Sequence, residues 1–342
     1  MNVPIWKTAL IGFGKIGAGY ADDPLMARYY PYATHAQVLQ DCPNFDWTAV
    51  VDPSPSQREL ARQRWQIEGV FPSIEELIQR DRPEVAIIAT PPDARGEIIE
   101  KLPDLLGIVV EKPLGLTLEA GEKFLEQCRE RNILVQVNLW RRGDKTFYQL
   151  AEGKLSELMG RLQGGFGVYG NGFYNNGTHV IDFIRMLFGE IARVRANGNW
   201  KPDRRLPIAG DANVPFTIWL NDGVSLDFCP LDFQHYREIG FDFWGDRGRL
   251  SILNEGLNLF FYPLSGNRAI RNAGEIAHDR PRKIESTVGQ ALYRMYENLA
   301  AALSERVPLY SSGESALQTA KVVEAVVRSA KTNGSVVEMS SF

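Results

Sequence analysis

The sequence contains little cysteine and no long hydrophobic run. Its 342 residues include three cysteines, Cys42, Cys128 and Cys229, which lie far apart and show neither a Cys-x-x-Cys pair nor a Cys/His spacing. This disfavours a disulfide framework and a structural zinc site, so we expect reduced thiols and no metal ion. No apolar stretch approaches the roughly 18 residues of a membrane span, and the first residues lack the regions of a signal peptide. We therefore predict a cytoplasmic protein with no membrane partner.

An excess of charge of one sign is also lacking. Lys and Arg number 38 against 42 Asp and Glu, which gives a formal net charge of −4, and the basic residues are scattered. These features exclude nucleic acid as an expected partner and favour a small molecule. The hydrophobic fraction of 44% is that of a globular protein with a sizeable core. Since single cores stop growing beyond roughly 250–300 residues, the length predicts two domains.

Short apolar runs alternate with helical patterns over the first third of the chain. Such alternation is typical of a doubly wound α/β domain with a parallel sheet buried on both faces, and we place this Rossmann domain at residues 1–138. The predicted strands are Thr8–Ile11, Trp47–Asp52, Glu84–Thr90, Ile108–Glu111 and Leu134–Asn138. The predicted helices between them are Pro55–Gln66, Ile74–Gln79 and Leu118–Arg131.

Closely spaced β-type runs follow beyond about residue 160. The turn Asn221-Asp222-Gly223 between two of them predicts a hairpin. Residues 139–342 are therefore predicted to form an α+β domain with an antiparallel sheet, and the closing helices, about 288–332, can pack back on the first domain. The predicted strands are Val214–Leu220, Val224–Cys229, Ile239–Trp244 and Leu257–Tyr262, and the predicted helices are Thr178–Phe188 before Gly189, Val288–Leu303 and Ser315–Ala330.

A glycine-rich turn follows the first predicted strand. Such glycines permit a tight turn, close approach of the backbone to a pyrophosphate and close packing of strand on helix, while the helix N-terminus offers N–H groups to the anion. Its place at the start of a βαβ series predicts dinucleotide binding, and an ordinary glycine-rich loop is the alternative. The turn consists of Gly12, Phe13, Gly14, Lys15, Ile16 and Gly17.

Asp52 ends the second predicted strand. A carboxylate there accepts hydrogen bonds from the adenosine ribose and repels a 2′-phosphate, so we predict NAD rather than NADP. The alternative is an ordinary turn residue before Pro53. The separation between Gly17 and Asp52 exceeds the usual ~20 residues, which indicates an insertion or a loop near the cofactor at Ala18–Ala33.

Three further segments, together with one near the end of the chain, complete a pattern. They are Ala89-Thr90-Pro91-Pro92, Glu111-Lys112-Pro113, Asn176-Gly177-Thr178-His179-Val180-Ile181-Asp182 and Ser312-Gly313-Glu314-Ser315-Ala316-Leu317. In this order they resemble the glucose-fructose oxidoreductase and inositol dehydrogenase (Gfo/Idh/MocA) family nearly end to end. The resemblance implies a large, open antiparallel sheet after the Rossmann domain, and hydride transfer between a sugar or polyol hydroxyl and the nicotinamide. It further implies a homodimer or homotetramer formed through that sheet.

The resemblance also implies roles for individual residues. Lys112 would hold the reacting hydroxyl beside the nicotinamide, and His179 would handle its proton, for which a histidine titrating near pH 7 is suited. On the residues alone, Lys112 could equally be a solvated cation at a strand end, and His179 a histidine at a helix start. The family pattern places Thr90, Pro91, Glu111, Lys112, Asn138, Trp140 and Arg141 at the cofactor. We expect Arg142, Tyr174 and Asn175 at the substrate. Asp182 lies three residues beyond His179 on the same helical face, so we expect it to orient the imidazole or contact the substrate.

Asn175 departs from the family pattern. The family commonly carries an aspartate four residues before the histidine, and an asparagine cannot accept a proton at neutral pH. Proton transfer is then left to His179 or another group, such as Tyr169 or Tyr174, although tyrosines in such a stretch are more often packing residues. Besides a dehydrogenase of a sugar, a polyol, or an amino or nucleotide sugar, two alternatives stay open. These are a non-catalytic NAD-binding sensor and a reductase of a dihydrodiol, an imine or a biliverdin-like acceptor.

Overall fold

The chain divides into two compact units, each assembled from two stretches of sequence. The structure is a computed structural model and describes residues 4–266 and 274–342. Unit 1 comprises Met1–Asp144 and Gly289–Leu317, and unit 2 comprises Lys145–Val288 and Gln318–Phe342. The domain boundary expected after residue 138 lies a few residues before the end of the first stretch of unit 1.

A parallel sheet forms the centre of unit 1, as the sequence predicted, and it has six strands. Its strands are β1 (Trp6–Ile11), β2 (Phe45–Val51), β3 (Gly69–Phe71), β4 (Val85–Ile88), β5 (Gly107–Val110) and β6 (Leu134–Val137). They lie in the order β3-β2-β1-β4-β5-β6, which is the strand order of dinucleotide-binding doubly wound sheets. Strand β3 has no counterpart among the predicted strands, because three residues are too few to show a periodicity.

Apolar side chains cover both faces of this sheet. Within β1, Ile11 belongs to one buried cluster and Leu10 to a second cluster on the opposite face, since successive side chains of a strand alternate. The α-helices within residues 4–266 and 274–342 are α1 (Pro24–Tyr29), α2 (His35–Asp41), α3 (Pro55–Trp65), α4 (Ile74–Ile78), α5 (Arg95–Lys101), α6 (Leu118–Glu130), α7 (Lys145–Gln149), α8 (Leu155–Met159), α9 (Thr178–Phe188), α10 (Ala291–Glu305) and α11 (Gly313–Lys331). Tyr296 and Leu299 of α10 lie in the same cluster as Leu10. None of the helices within residues 4–266 and 274–342 has the length and apolar character needed to span a membrane.

Unit 2 contains a ten-stranded sheet. Its strands are β7 (Leu162–Gly170), β8 (Ile191–Ala196), β9 (Phe216–Leu220), β10 (Ser225–Leu231), β11 (Gly240–Gly245), β12 (Gly248–Leu253), β13 (Asn258–Ser265), β14 (Glu275–Ile276), β15 (Arg282–Ile284) and β16 (Val337–Glu338). They lie in the order β14-β13-β12-β11-β7-β10-β9-β8-β16, with β15 beside β13. Within this sheet, the β7–β10 pair is the only parallel one among the described residues, which confirms the mostly antiparallel sheet.

The turn at residues 221–223 joins two antiparallel strands, as predicted. Strands β9 and β10 pair with Ser225 opposite Trp219, and the Leu220 N–H donates to the Val224 carbonyl at 2.9 Å. Helix α9 covers the residues predicted for it and ends at Gly189, whose φ of +86° favours glycine.

Candidate functional site

The three glycines of the turn after β1 differ in what surrounds them. Gly12 has φ +91°, and a Cβ there would lie 2.8 Å from the Ala89 carbonyl oxygen. A Cβ on Gly17 would lie 2.6 Å from the Gly12 carbonyl oxygen, whereas a Cβ on Gly14 would have no atom within 4 Å. The outer glycines are therefore required by the turn and its packing, and the middle one borders open space.

An insertion interrupts the helix that follows this turn. The carbonyls of Ile16 and Gly17 accept hydrogen bonds from the N–H groups of His35 and Ala36 at 3.1 and 2.9 Å. In a continuous helix these carbonyls would bond to residues four positions onward. The chain therefore leaves the helical turn and re-enters it at α2. The expected insertion at Ala18–Ala33 is present and contains α1.

The carboxylate of Asp52 lies beside the glycine turn. It is buried and accepts hydrogen bonds from the backbone N–H groups of Phe13 at 2.7 Å and Ser54 at 2.8 Å. The guanidinium of Arg58, on α3, donates to the carbonyls of Asp52 and Pro53, each at 2.8 Å. Asp52 is thus fixed at the carboxyl end of β2, next to the turn that ends β1.

The buried arginine Arg95 connects the loops that follow β4 and β5. Its side chain donates to the Thr90 carbonyl at 3.0 Å and to the Pro113 carbonyl. Burial lowers the pKa of Arg95 to about 10, although the charge of Glu111 opposes this shift. The guanidinium therefore stays charged at neutral pH and holds together the loops that contain Pro91 and Lys112–Pro113. Sequence reasoning missed Arg95, because no motif marks it.

Glu111 is the centre of a buried hydrogen-bond network at the ends of β5 and β6. One of its oxygens, Oε1, accepts from Asn138 Nδ2 at 2.6 Å and lies 3.0 Å from His35 Nε2, and His35 Nδ1 lies 2.7 Å from the Tyr296 hydroxyl. Burial opposes ionisation of Glu111, but the hydrogen bonds and charge of its neighbours, His35 first and then Asn138 and Lys112, outweigh it and lower its pKa. Burial raises the pKa of Tyr296 well above its ordinary value. His35 was not among the predicted site residues.

Trp140 lies next to the insertion. The ring of Tyr30 meets it edge-on, with 5.9 Å between centroids, and the guanidinium of Arg141 lies 4.5 Å from the centre of the Trp140 ring. Arg141 is buried and Arg142 is half-buried. The insertion thus contacts one residue of the predicted cofactor cleft.

In unit 2, a buried carboxylate holds the segment that leads into α9. Asp211 Oδ1 accepts from the N–H groups of Phe173 and Tyr174, each at 3.0 Å, and its Oδ2 accepts from the Asn175 N–H at 3.2 Å. A Cβ on Gly172 would overlap this carboxylate. Burial raises the pKa of Asp211, although these backbone hydrogen bonds oppose the shift. Sequence reasoning missed Asp211, because it lies far along the chain from the histidine motif.

Asn175 lies in a π-helical turn, Phe173–Gly177, that leads into α9, and His179 lies in the first turn of α9. His179 is half-buried, and the Asn175 side-chain amide donates to the Asn171 carbonyl at 3.1 Å. Tyr174 is half-buried and its ring centroid lies 5.1 Å from that of Trp200.

Asp182, on α9, is buried, whereas His179 is half-buried. Its Oδ1 accepts a hydrogen bond from the Thr319 hydroxyl at 2.9 Å and lies 3.9 Å from Arg185 Nη1. Arg185 in turn makes a two-point contact with Glu190, at 2.9 and 2.6 Å. The role expected for Asp182 at the imidazole or the substrate stays a prediction.

The sheet edge of unit 1 has features that fit a dinucleotide. Open space borders Gly14, and two polar atoms, Thr90 Oγ1 and Asn138 Oδ1, are buried with no hydrogen-bond partner among the residues that the structure describes. Buried polar atoms are seldom left unpaired, so these two favour a bound group that supplies partners. Over the same ranges, no group of three or more His, Cys, Asp and Glu side chains is placed to hold a metal ion.

Comparisons with known proteins agree with this architecture. A curated relative, scyllo-inositol 2-dehydrogenase (NAD(+)) from Bacillus subtilis (strain 168), is 27% identical over 182 residues, which is 52% of this chain and 47% of the relative. The chain thus spans about half the length of the curated relative that it matches. A solved oxidoreductase from Agrobacterium radiobacter in complex with NAD+, L-tartaric acid and magnesium has a TM-score of 0.74 at 17% identity, covering 98% of this chain and 99% of that one. The WlbA dehydrogenase from Bordetella pertussis, in complex with NADH and UDP-GlcNAcA, has a TM-score of 0.71 at 16% identity, covering 98% of both chains. At these identities the two structures establish the fold alone.

Two family models match the sequence in succession. Residues 6–139 match the model of the oxidoreductase family with an NAD-binding Rossmann fold, and residues 163–339 match the model of that family's C-terminal alpha/beta domain. Because the two models together cover most of the sequence, the chain belongs to the Gfo/Idh/MocA family of NAD-binding oxidoreductases, as its motifs indicated.

Proposed function

We propose that the protein is an NAD-dependent dehydrogenase that transfers a hydride between a hydroxyl-bearing carbon of a sugar or polyol and the nicotinamide. The observation that carries the cofactor assignment is the open space at Gly14 beside the fixed carboxylate of Asp52. A pyrophosphate that occupies this space would meet the backbone N–H groups of the turn. Lys15, which lies between Gly14 and Gly17, and the loop at Thr90 and Pro91 would also contact the cofactor.

The proposal favours NAD over NADP. The Asp52 carboxylate would accept hydrogen bonds from the ribose hydroxyls and repel a 2′-phosphate. Arg58, the arginine beside it, donates to two backbone carbonyls, so its guanidinium is already engaged. The name of the Bacillus subtilis relative, which specifies NAD(+), supports the same choice.

We assign the chemical roles to Lys112 and His179. When a hydride leaves the carbinol carbon for the nicotinamide, the hydroxyl proton must leave in step, and a neutral imidazole at His179 would accept it. The ammonium of Lys112 would donate a hydrogen bond to the same oxygen and stabilise the negative charge that develops there. Asn175 would bind a further substrate hydroxyl, because its amide cannot take the proton.

Compounds with several hydroxyl groups are the substrate class that we favour. The relative from Bacillus subtilis is named for an inositol, and the two solved structures hold L-tartaric acid and UDP-GlcNAcA. Arg142, Tyr174 and Asp182 complete the proposed substrate contacts. We place inositols first, and sugar acids and nucleotide sugars next.

The test is turnover by the purified protein with NAD and a panel of these compounds. We expect Lys112→Met and His179→Asn to lose at least about a hundredfold in kcat/KM, the scale of general acid–base catalysis. The exposed residues Lys154 and His235 provide matched controls, Lys154→Met and His235→Gln, which should keep wild-type turnover. Undiminished turnover in the first two variants would contradict the assignment of roles. Tight NAD binding without turnover on any compound would favour the non-catalytic sensor.

We also propose that the protein self-associates through one face of the ten-stranded sheet. Phe166, Trp244, Leu253 and Leu264 are 43%, 37%, 37% and 54% exposed. Strand register places all four on the same face, since Phe166 lies opposite Asp242, two residues before Trp244 in β11, and the alternation continues through β12 and β13. Sedimentation should give a dimer or tetramer that Phe166→Lys weakens, and a wild-type monomer at micromolar concentration would contradict the proposal.

A further inference from the structure

The buried network around Glu111 determines which hydrogen-bonding groups are left for a ligand. Glu111 Oε1 lies within 3.0 Å of both Asn138 Nδ2 and His35 Nε2. The low pKa of Glu111 makes it a carboxylate, which only accepts hydrogen bonds. His35 must therefore carry a proton on Nε2. The high pKa of Tyr296 keeps its hydroxyl protonated, and this hydroxyl lies 2.7 Å from Nδ1, the other ring nitrogen of His35.

The orientation of the Asn138 side chain follows from this arrangement. Its NH₂ group faces the carboxylate of Glu111, because the opposite rotamer would place two oxygens against each other. The carbonyl oxygen, Oδ1, is then the free acceptor of the amide. Asn138 is 4% exposed, and Oδ1 has no hydrogen-bond partner among the described residues. Buried acceptors are seldom left without a hydrogen bond, so we expect a ligand to supply the donor.

Sheet topology shows which part of a dinucleotide that donor belongs to. A dinucleotide crosses the carboxyl edge of such a sheet at the point where the strand order reverses, which here lies beside β1. Asp52, at the end of β2, lies on the adenosine side of this point. Asn138 follows β6 on the opposite side, together with Glu111 and Lys112 after β5. On that side the nicotinamide carboxamide offers an NH₂ donor.

We propose that Asn138 Oδ1 accepts a hydrogen bond from the carboxamide NH₂ of the nicotinamide, and that His35, acting through Glu111, is a positioning residue that holds the Asn138 amide in the required orientation. The inference rests on the proposed NAD-dependent function. It explains why a fully buried histidine, with both ring nitrogens engaged, lies at the start of the resumed helix α2. The network thus recognises the nicotinamide end of the cofactor, independently of the glycine turn.

The test compares the affinities of three ligands. These are NAD, its 3-acetylpyridine analogue, whose methyl ketone cannot donate a hydrogen bond, and ADP-ribose, which lacks the nicotinamide. Wild-type protein should bind NAD about tenfold more tightly than the analogue, the ratio that one hydrogen bond supplies. Equal affinity for NAD and the analogue would overturn the proposal. Failure to bind any of the three, ADP-ribose included, would instead contradict the proposed cofactor site.

Variants separate recognition from positioning. In Asn138→Leu and His35→Leu the tenfold ratio should fall towards one while the affinity for ADP-ribose stays unchanged. His35→Gln, whose amide can still donate to Glu111, should restore the ratio, and the exposed control His235→Leu should keep it. A tenfold ratio retained by either leucine variant would overturn the corresponding half of the proposal. Should His35→Leu not fold, Tyr296→Phe removes only the hydroxyl, and we expect an intermediate ratio of about threefold. An unchanged tenfold ratio there would overturn the positioning role.

Discussion

Alanine substitutions at Gly12 and Gly14 should separate folding from cofactor binding. At Gly12 the φ of +91° strains any residue with a Cβ, at a cost of about 1–3 kcal/mol. The new methyl group would also lie 2.8 Å from the Ala89 carbonyl oxygen, and relieving that overlap against a buried strand end costs a further ~1–2 kcal/mol. Gly12→Ala should therefore lower the free energy of unfolding by about 2–5 kcal/mol.

Gly14→Ala should behave differently, because a Cβ at Gly14 meets no atom within 4 Å and Gly14 is not among the described glycines with positive φ. Its free energy of unfolding should stay within about 1 kcal/mol of wild type. The same methyl group would project into the space assigned to the pyrophosphate, so we expect at least a tenfold loss of NAD affinity.

Urea unfolding followed by tryptophan fluorescence gives the stabilities, and calorimetric titration with NAD gives the affinities. The reasoning would be refuted if Gly14→Ala bound NAD as tightly as wild type, or if it were destabilised as much as Gly12→Ala. Gly17→Ala provides an internal check. Its Cβ would lie 2.6 Å from the Gly12 carbonyl oxygen, so it should be destabilised in the manner of Gly12→Ala.

Three further predictions concern buried charges. The pKa of Asp211 is raised in the folded state, so the native protein retains a proton there that the unfolded chain has lost. The free energy of unfolding should therefore fall as pH rises from the ordinary carboxyl range through that raised pKa. Asp211→Asn should flatten this dependence in urea unfolding at a series of pH values. Arg95→Met leaves the carbonyls of Thr90 and Pro113 without their donor, and thermal unfolding should report a loss of about 2–4 kcal/mol, whereas an unchanged midpoint would contradict the bridging role. Asp52→Ala should weaken NAD binding about tenfold and reduce the ratio of NAD affinity to NADP affinity in parallel titrations. An unchanged ratio would show that another residue determines the cofactor preference.

Much of the fold of unit 1 could be predicted from local patterns. Apolar runs separated by helical stretches identified five of its six strands, and the position of the glycine turn after β1 predicted the dinucleotide-binding edge. The residue pair Gly17 and Asp52 even revealed the insertion, because their separation exceeds that of an uninterrupted βαβ unit. Each of these signals lies within a few residues or depends on one spacing.

The residues that hold the site in place could not be predicted in this way. His35 reaches Tyr296 across most of the sequence, and Asp211 caps a segment that precedes it by more than thirty positions. Arg95 connects two loops through backbone carbonyls, which carry no sequence signature. These contacts exist only after the tertiary fold has formed, so a single sequence indicates the residues that would meet the ligands and not those that orient them.

The most direct test of the central claim is the transfer of deuterium from substrate to cofactor. An inositol labelled with deuterium at its ring carbons is incubated with NAD and the protein, and the reduced cofactor is analysed by mass spectrometry. The account predicts one deuterium in the reduced nicotinamide for each turnover with the wild-type protein, and at least about a hundredfold less deuterated cofactor in the same time with Lys112→Met or His179→Asn. Reduced cofactor without deuterium, or as much deuterated cofactor from either variant as from the wild-type protein, would contradict it.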